Sequence, residues 1–114
     1  MIKIQSMSDI ITNSSSEVFI IDSDQNDKII TFIKDICDIY GWNADNIMEF
    51  ETANCDGYIP DWDIPYKDGN LIITSRSDNS IPYSIMEIIS DLRWMNPPTL
   101  DGVEIKQVNR QHLG

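Results

Sequence analysis

The stretch Glu17-Val18-Phe19-Ile20-Ile21-Asp22 decides the fold, because it is an unbroken apolar run between two acids. Such a run is typical of a buried strand. Ser23 or Asp24 follows it, and either side chain is suited to cap a helix by accepting hydrogen bonds from the free amides of its first turn. The chain is therefore predicted to pass from a core strand directly into a helix.

That first helix is predicted from about Gln25 to Tyr40. Apolar side chains recur there at the spacing of one helix face. Gly41 is expected to end the helix, because glycine adopts the left-handed conformation at little cost. The predicted apolar stripe consists of Ile29, Ile33, Ile36 and Tyr40, widened by Ile30 and Cys37.

Three more strands and a second helix follow. The strands are predicted at Ile47–Thr52, Leu71–Ser75 and Val103–Val108, and the helix at Ile81–Arg93. The stripe of that helix is Ile81, Ile85, Ile88, Ile89 and Leu92.

The element order from Glu17 onward is thus β-α-β-β-α-β, which predicts an α+β, ferredoxin-like sandwich. Right-handed crossovers are expected to place the first and last strands, Glu17–Asp22 and Val103–Val108, in the centre of a four-stranded antiparallel sheet. Both helices are expected on one face. Residues 1–16 are predicted to be an N-terminal extension or edge strand, and residues 17–114 a single domain.

The charge of the chain limits its partners. Net charge is −11, and eight acids but no Lys or Arg lie between Asp35 and Tyr66. Such a field repels nucleic-acid backbone and anionic membrane and attracts basic proteins, so neither direct nucleic-acid binding nor membrane binding is predicted. The predicted acidic surface consists of Asp45, Glu49, Glu51, Asp56, Asp61 and Asp63.

The stretch from Asn54 to Asn70 is long for a hairpin loop. It carries Tyr58, Trp62 and Tyr66 among its acids, and its two prolines rule out an uninterrupted helix. One interpretation is an aromatic arm that binds a protein partner, since aromatic side chains offer large rigid contact areas. The other is that the aromatic residues fold back over the open end of the sheet.

A second candidate contact is the polar segment Asn13, Ser14, Ser15, Ser16 and Glu17. It is interpreted either as a loop that binds an anion or a partner's main chain, or as an entry loop that satisfies its own backbone groups. A nucleophilic serine is disfavoured, because the single histidine, His112, is expected in a frayed tail.

No catalytic or cofactor motif is present, so no enzyme activity and no cofactor are predicted. The paired carboxylates Glu49 and Glu51 are expected to face solvent or the open sheet face, and the acids lack the spacing of a calcium loop. Cys37 and Cys55 form no motif and are predicted to be free thiols.

The stretch from Asp9 to Ile20 resembles a segment found near the start of many uncharacterised proteins of tailed bacteriophages. Its distinctive core is Thr12-Asn13-Ser14-Ser15-Ser16-Glu17-Val18-Phe19, and the resemblance covers about a tenth of the chain. It implies a phage gene product that acts in the host bacterial cytoplasm or is carried in a virion. It transfers no catalytic residue.

The leading functional hypothesis is a small acidic, non-enzymatic protein-binding module of phage origin, with an accessory role in the head, neck or tail of a virion. Its partner would be a phage structural protein or a basic host protein. The alternatives are a host-directed inhibitor that imitates nucleic-acid charge, and a small enzyme that uses carboxylates. The sequence leaves the oligomeric state open.

Overall fold

The computed structural model describes residues 16–59, 62–76 and 80–113. The predicted edge strand near the N-terminus lies outside these residues, apart from Ser16, which begins the first strand. In chain order the elements are β1 (Ser16–Ser23), α1 (Asn26–Ile39), α2 (Ala44–Ile47), β2 (Met48–Thr52), β3 (Gly57–Ile59), β4 (Ile64–Tyr66), β5 (Leu71–Ser75), α3 (Tyr83–Ser90), a 3₁₀ turn (Pro98–Leu100) and β6 (Ile105–Leu113).

Four of these strands form one antiparallel sheet in the order β2, β5, β1, β6. The predicted α+β class with an antiparallel sheet is confirmed. β1 lies inside the sheet as predicted, with Phe19 opposite Ile73 of β5. The second central strand is β5.

The prediction that Val103–Val108 forms a central strand is wrong, because β6 lies at an edge of the sheet. β5 and β6 both run antiparallel to β1 and are therefore parallel to each other. Parallel strands need a crossover connection, which α3 supplies. This crossover carries the chain past β1, so β6 lies on the far side of it.

The two faces of the sheet are covered by different elements. α1 and α3 pack on the face that presents Phe19 and Ile21 of β1 and Leu71 and Ile73 of β5. The opposite face carries a smaller apolar cluster, and the β3–β4 hairpin covers it. That cluster consists of Val18, Ile20, Ala53, Ile59, Ile64 and Ile72. The middle of β1, Val18–Ile21, is apolar because both of its faces are buried.

α1 matches the predicted helix to within a residue at each end. The Ser23 hydroxyl accepts a hydrogen bond from the Gln25 amide at 3.2 Å, in the turn before the helix. The N-cap position is Gln25 and has no side-chain cap, so the prediction that Ser23 or Asp24 caps the helix is wrong; Asp24 accepts a hydrogen bond from the Glu104 amide at 3.1 Å. Gly41 adopts φ 80° at the end, as predicted. Tyr40 does not complete the core stripe and is 53% exposed, because the helix ends before it.

The second predicted helix and the last strand have different bounds from those expected. α3 begins at Tyr83 and ends at Ser90. Of the predicted stripe, Ile81, Ile85, Ile89 and Leu92 are buried, and Ile88 is half-buried against the same core.

The last strand starts later and runs further than predicted. Val103 precedes β6 and is half-buried against the helices, and Ile105 is half-buried at its start. β6 continues to Leu113, so His112 lies in the sheet, paired with Glu17, and not in a frayed tail.

Candidate protein-binding surface

The segment from Asn54 to Asn70, predicted as a long acidic arm, contains a short hairpin. β3 and β4 pair antiparallel, with Tyr58 opposite Pro65 and Ile59 opposite Ile64. Ile59 and Ile64 are buried against the sheet, whereas Tyr58 is 64% exposed. Because side chains alternate along a strand, Tyr58 and Pro65 form the outer face of the hairpin.

The other two aromatic residues of the arm point inward. Trp62 and Tyr66 are half-buried and pack against the apolar cluster beneath the hairpin. The Tyr66 ring lies over Gly57, where an added Cβ would stand 2.7 Å from the Tyr66 hydroxyl. The hairpin therefore combines both interpretations, since Trp62 and Tyr66 cover the sheet and Tyr58 faces solvent. Partner binding by these three residues stays a prediction.

Two acids flank the hairpin strands. Asp56 and Asp63 are both exposed, and Asp56 Oδ1 accepts a hydrogen bond from the Asp68 amide at 2.8 Å, which ties the two ends of the hairpin together. Asp63 adopts φ 52°, in the left-handed region that Asp and Asn enter more readily than other non-glycine residues. Asp61 lies outside the described residues.

The remaining acids of the predicted surface lie on α2 and β2, where bases accompany them. Lys34 Nζ is 3.4 Å from the Asp45 carboxylate, and Arg76 Nη2 is 3.9 Å from the Glu49 carboxylate. Arg76 also donates to the Asp45 carbonyl oxygen. Glu51 shares a strand face with Glu49. The described acids therefore divide between the hairpin and the β2 edge, and bases offset part of the charge at β2.

The polar segment ahead of the core strand is described only at its end. Asn13, Ser14 and Ser15 lie outside the described residues, and Ser16 belongs to β1. Placing Glu17 in a contact loop is wrong, because it lies within β1 and its side chain is only 3% exposed. The Glu17 carboxylate faces the protein interior.

Glu17 is the centre of a polar cluster that sequence reasoning missed. Arg110 Nε donates to Glu17 Oε1 at 3.0 Å, and His112 Nδ1 contacts Oε2. The Glu17 amide donates to Ser75 Oγ at 2.9 Å, and Arg110 Nη1 lies 3.6 Å from the Glu87 carboxylate. A buried carboxylate needs such charge-assisted bonds. The cluster joins β1, β5, β6 and α3, which indicates a structural role.

A signal for this cluster was present in the sequence. The chain from Val103 to Leu113 contains neither Pro nor Gly, and glycines flank it only at 102 and 114, so a strand longer than Val103–Val108 is compatible with the sequence. Extending the strand places Arg110 and His112 on one face at alternate positions. Their partner is Glu17, an acid that the sequence places at the start of a buried strand.

Apolar side chains are exposed elsewhere as well. Ile39, Tyr40 and Trp42 are exposed where α1 ends, and Tyr83 is 69% exposed at the start of α3. Trp94 is exposed after α3, with the Arg93 guanidinium 4.8 Å from its ring centroid. Such residues are common singly on protein surfaces. Tyr83 provides a matched control for Tyr58, because both are tyrosines of similar exposure.

The two cysteines are free thiols in different surroundings. Cys37 is buried in the helix-side core and Cys55 is exposed. Burial raises the pKa of the Cys37 thiol, and the neighbouring Asp38 carboxylate raises it further. Cys37 therefore acts as a core residue, and Cys55 is the accessible thiol.

The described residues contain no group of three or more His, Cys, Asp or Glu side chains placed to hold a metal ion. None of their helices has the length and apolar composition needed to cross a membrane. A scan against protein-family models and searches of curated proteins and of solved structures found no match.

Proposed function

We propose that the chain is a small, non-enzymatic protein-binding module whose hairpin outer face contacts a basic partner. The observation that carries this proposal is Tyr58, which is 64% exposed on the outer face beside Pro65 and is flanked by the exposed Asp56 and Asp63.

The hairpin is a suitable platform for such a contact. Ile59 and Ile64 anchor it to the sheet, so Tyr58 is presented from an ordered backbone and binding orders few additional groups. Tyrosine is enriched among residues that dominate binding energy, because it offers large apolar area and a polar hydroxyl. The flanking carboxylates would accelerate encounter with a basic surface.

For the fold, we propose a ferredoxin-like sandwich with the β3–β4 hairpin inserted between its second and third sheet strands. The support is the succession of two β-α-β units in the sheet formed by β1, β2, β5 and β6, with both longer helices packed on one face. The inserted hairpin then covers the face that such a sandwich usually leaves open.

For the partner, we propose a phage structural protein, which would make this chain a virion accessory of the head, neck or tail. The support is the resemblance of Asp9–Ile20 to segments of tailed-phage proteins. A basic host protein is the alternative partner. Imitation of nucleic-acid charge has weaker support, because Lys34 and Arg76 accompany Asp45 and Glu49.

The test is a tagged pull-down from phage-infected cells with the parent, Tyr58→Ser and Tyr83→Ser proteins, washed at low and then high salt. We expect the parent and Tyr83→Ser to retain a phage structural protein through the high-salt wash. Tyr58→Ser should lose it, with about tenfold weaker affinity for the purified partner.

The outcomes separate the candidate functions. A host nucleic-acid enzyme retained only at low salt would favour charge mimicry over a virion role. If Tyr58→Ser and Tyr83→Ser lose the partner equally, or if both retain it, the hairpin is refuted as the contact surface. Asp63→Asn, which keeps a residue that tolerates the left-handed conformation, should reduce the association rate more than it raises the dissociation rate.

A further inference from the structure

The outer edge of β6 is the longest free strand edge in the described part of the chain. β6 spans Ile105–Leu113 and pairs with β1 along one side only, and no strand of residues 16–59, 62–76 or 80–113 pairs with its other side. An edge strand of this length presents unpaired backbone amides and carbonyls that can add another strand.

On the hairpin side of the sheet, β6 carries a row of three amide side chains. Gln107, Asn109 and Gln111 lie opposite Asp22, Ile20 and Val18 of β1. Gln111 Nε2 donates to Asn109 Oδ1 at 2.9 Å. Each amide group has two N–H donors and an oxygen with two lone pairs, so this row retains free donors and acceptors after that bond. A row of amides is complementary to a second copy of itself.

The charge of β6 also favours a second copy of the chain. The chain has a net charge of −11, yet Ile105–Leu113 contains Lys106, Arg110 and His112 and no acid. Arg110 is already offset by Glu17 and Glu87 of its own chain. Two copies that repel each other over most of their surface therefore meet without acid–acid repulsion at this strand.

The opposite edge of the sheet lacks these properties. β2 is five residues long and carries Glu49 and Glu51, so two β2 edges would bring like charges together. Glu49 and Glu51 lie on the hairpin side of the sheet, the same side as the β6 amides. Their partners on β5 are Thr74 and Ile72.

We propose that the protein self-associates through β6, with the β6 strands of two copies paired antiparallel about a two-fold axis at Asn109. Full overlap of Ile105–Leu113 centres the pairing there. Asn109 then faces Asn109 of the second copy, and Gln107 faces Gln111. The dimer extends the two four-stranded sheets into one of eight strands, with isologous contacts.

Strand pairing alone buries less surface than a standard protein interface, so the dimer is weak and depends on concentration. Sedimentation equilibrium over a range up to about 1 mM protein should therefore show a reversible monomer–dimer equilibrium. A monomer throughout that range would overturn the proposal.

The register is tested with Asn109→Asp, which keeps the acceptor for Gln111 and places two carboxylates opposite each other. We expect the dimer Kd to rise about tenfold or more, because an amide pair is lost and like charges are opposed. Asn96→Asp is the matched control, since it adds the same charge at an exposed position outside the strands. It should leave the Kd within about twofold.

Mixing distinguishes a lost interface from a damaged fold. Asn109→Asp and Asn109→Lys should each be mainly monomeric alone, and an equimolar mixture should recover the dimer, because Asp then faces Lys. The register would be refuted if both variants dimerised as well as the parent. It would also be refuted if the equimolar mixture did not recover the dimer. A dimer that is lost only when residues 1–15 are removed would show that another segment makes the contact.

A cross-link gives an independent result. Opposite Cα atoms in an antiparallel pair are about 4.5–5.5 Å apart, which a disulfide can span. Asn109→Cys in a Cys55→Ser background should form a disulfide-linked dimer on mild oxidation, while Asn96→Cys in the same background should not. Equal cross-linking at both positions would indicate random collision and overturn the assignment.

Discussion

Replacing Arg110 with Met removes the main cationic partner of a buried carboxylate while keeping most of the aliphatic stem. Breaking a fully buried ion pair costs about 3–5 kcal/mol. Here the Glu17 side chain is 3% exposed, but Arg110 is 33% exposed and His112 still contacts Glu17. These two features lower the expected loss in the free energy of unfolding to about 2 kcal/mol.

The assay is urea unfolding of four proteins in a double-mutant cycle. Glu17→Gln removes the buried charge, so the combination with Arg110→Met leaves no unpaired buried ion, although the partly exposed Glu87 carboxylate loses Arg110. We expect the double variant to be more stable than the sum of the single effects predicts, by about 1–2 kcal/mol. Arg93→Met, at an exposed base, should change stability by less than about 0.5 kcal/mol. Additive single effects, or an Arg110→Met protein as stable as Arg93→Met, would refute the assigned role of the cluster.

Three further outcomes follow from the packing. Trp62→Ala should destabilise the domain by about 1–3 kcal/mol in urea unfolding, because its half-buried ring covers the hairpin-side cluster; a change below about 0.5 kcal/mol would contradict that packing. Gly57→Ala should destabilise the hairpin, since the new Cβ would stand 2.7 Å from the Tyr66 hydroxyl and 2.9–3.3 Å from its ring, and the same change in a Tyr66→Ala background should be tolerated better. At pH 8 iodoacetamide should modify Cys55 and leave Cys37 unmodified until unfolding, because burial raises the Cys37 pKa and keeps its thiol protonated to higher pH; equal labelling of the native protein by mass spectrometry would contradict this.

The central elements could be predicted from the sequence because their patterns have one physical interpretation. An apolar run such as Val18–Ile21 is stable only between two covered faces, and the apolar residues of α1 recur at one helical spacing. β5 was predicted at its observed bounds, Leu71–Ser75. The position of β6 was not predictable from its pattern alone, because a half-buried strand of mixed polarity suits the centre and the edge of an antiparallel sheet about equally.

The candidate surface was predictable only in part for a related reason. Both interpretations of the arm treat Tyr58, Trp62 and Tyr66 as one group, but strand alternation puts Tyr66 on the same side as Ile64. Recognising Ile64-Pro65-Tyr66 as a strand would have separated Tyr66 from Tyr58. Glu17 belongs both to the predicted strand Glu17–Asp22 and to the predicted polar contact segment, and only the strand assignment fits its burial, which depends on pairing with a distant strand.

The two proposed contacts are compatible and reinforce each other geometrically. In the proposed dimer the amide rows of both copies lie on one face of the sheet, so the two-fold axis is perpendicular to the sheet. Both copies then have their helices on one side of the sheet and their hairpins on the other. Two Tyr58–Pro65 surfaces would then face the same direction. A virion presents its structural proteins in repeated arrays, and a module with two contact surfaces gains effective concentration for the second contact after making the first. A weak β6 dimer would therefore raise apparent affinity for an array more than for a single partner, and Asn109→Asp should reduce binding to intact virions while leaving binding to the isolated partner unchanged.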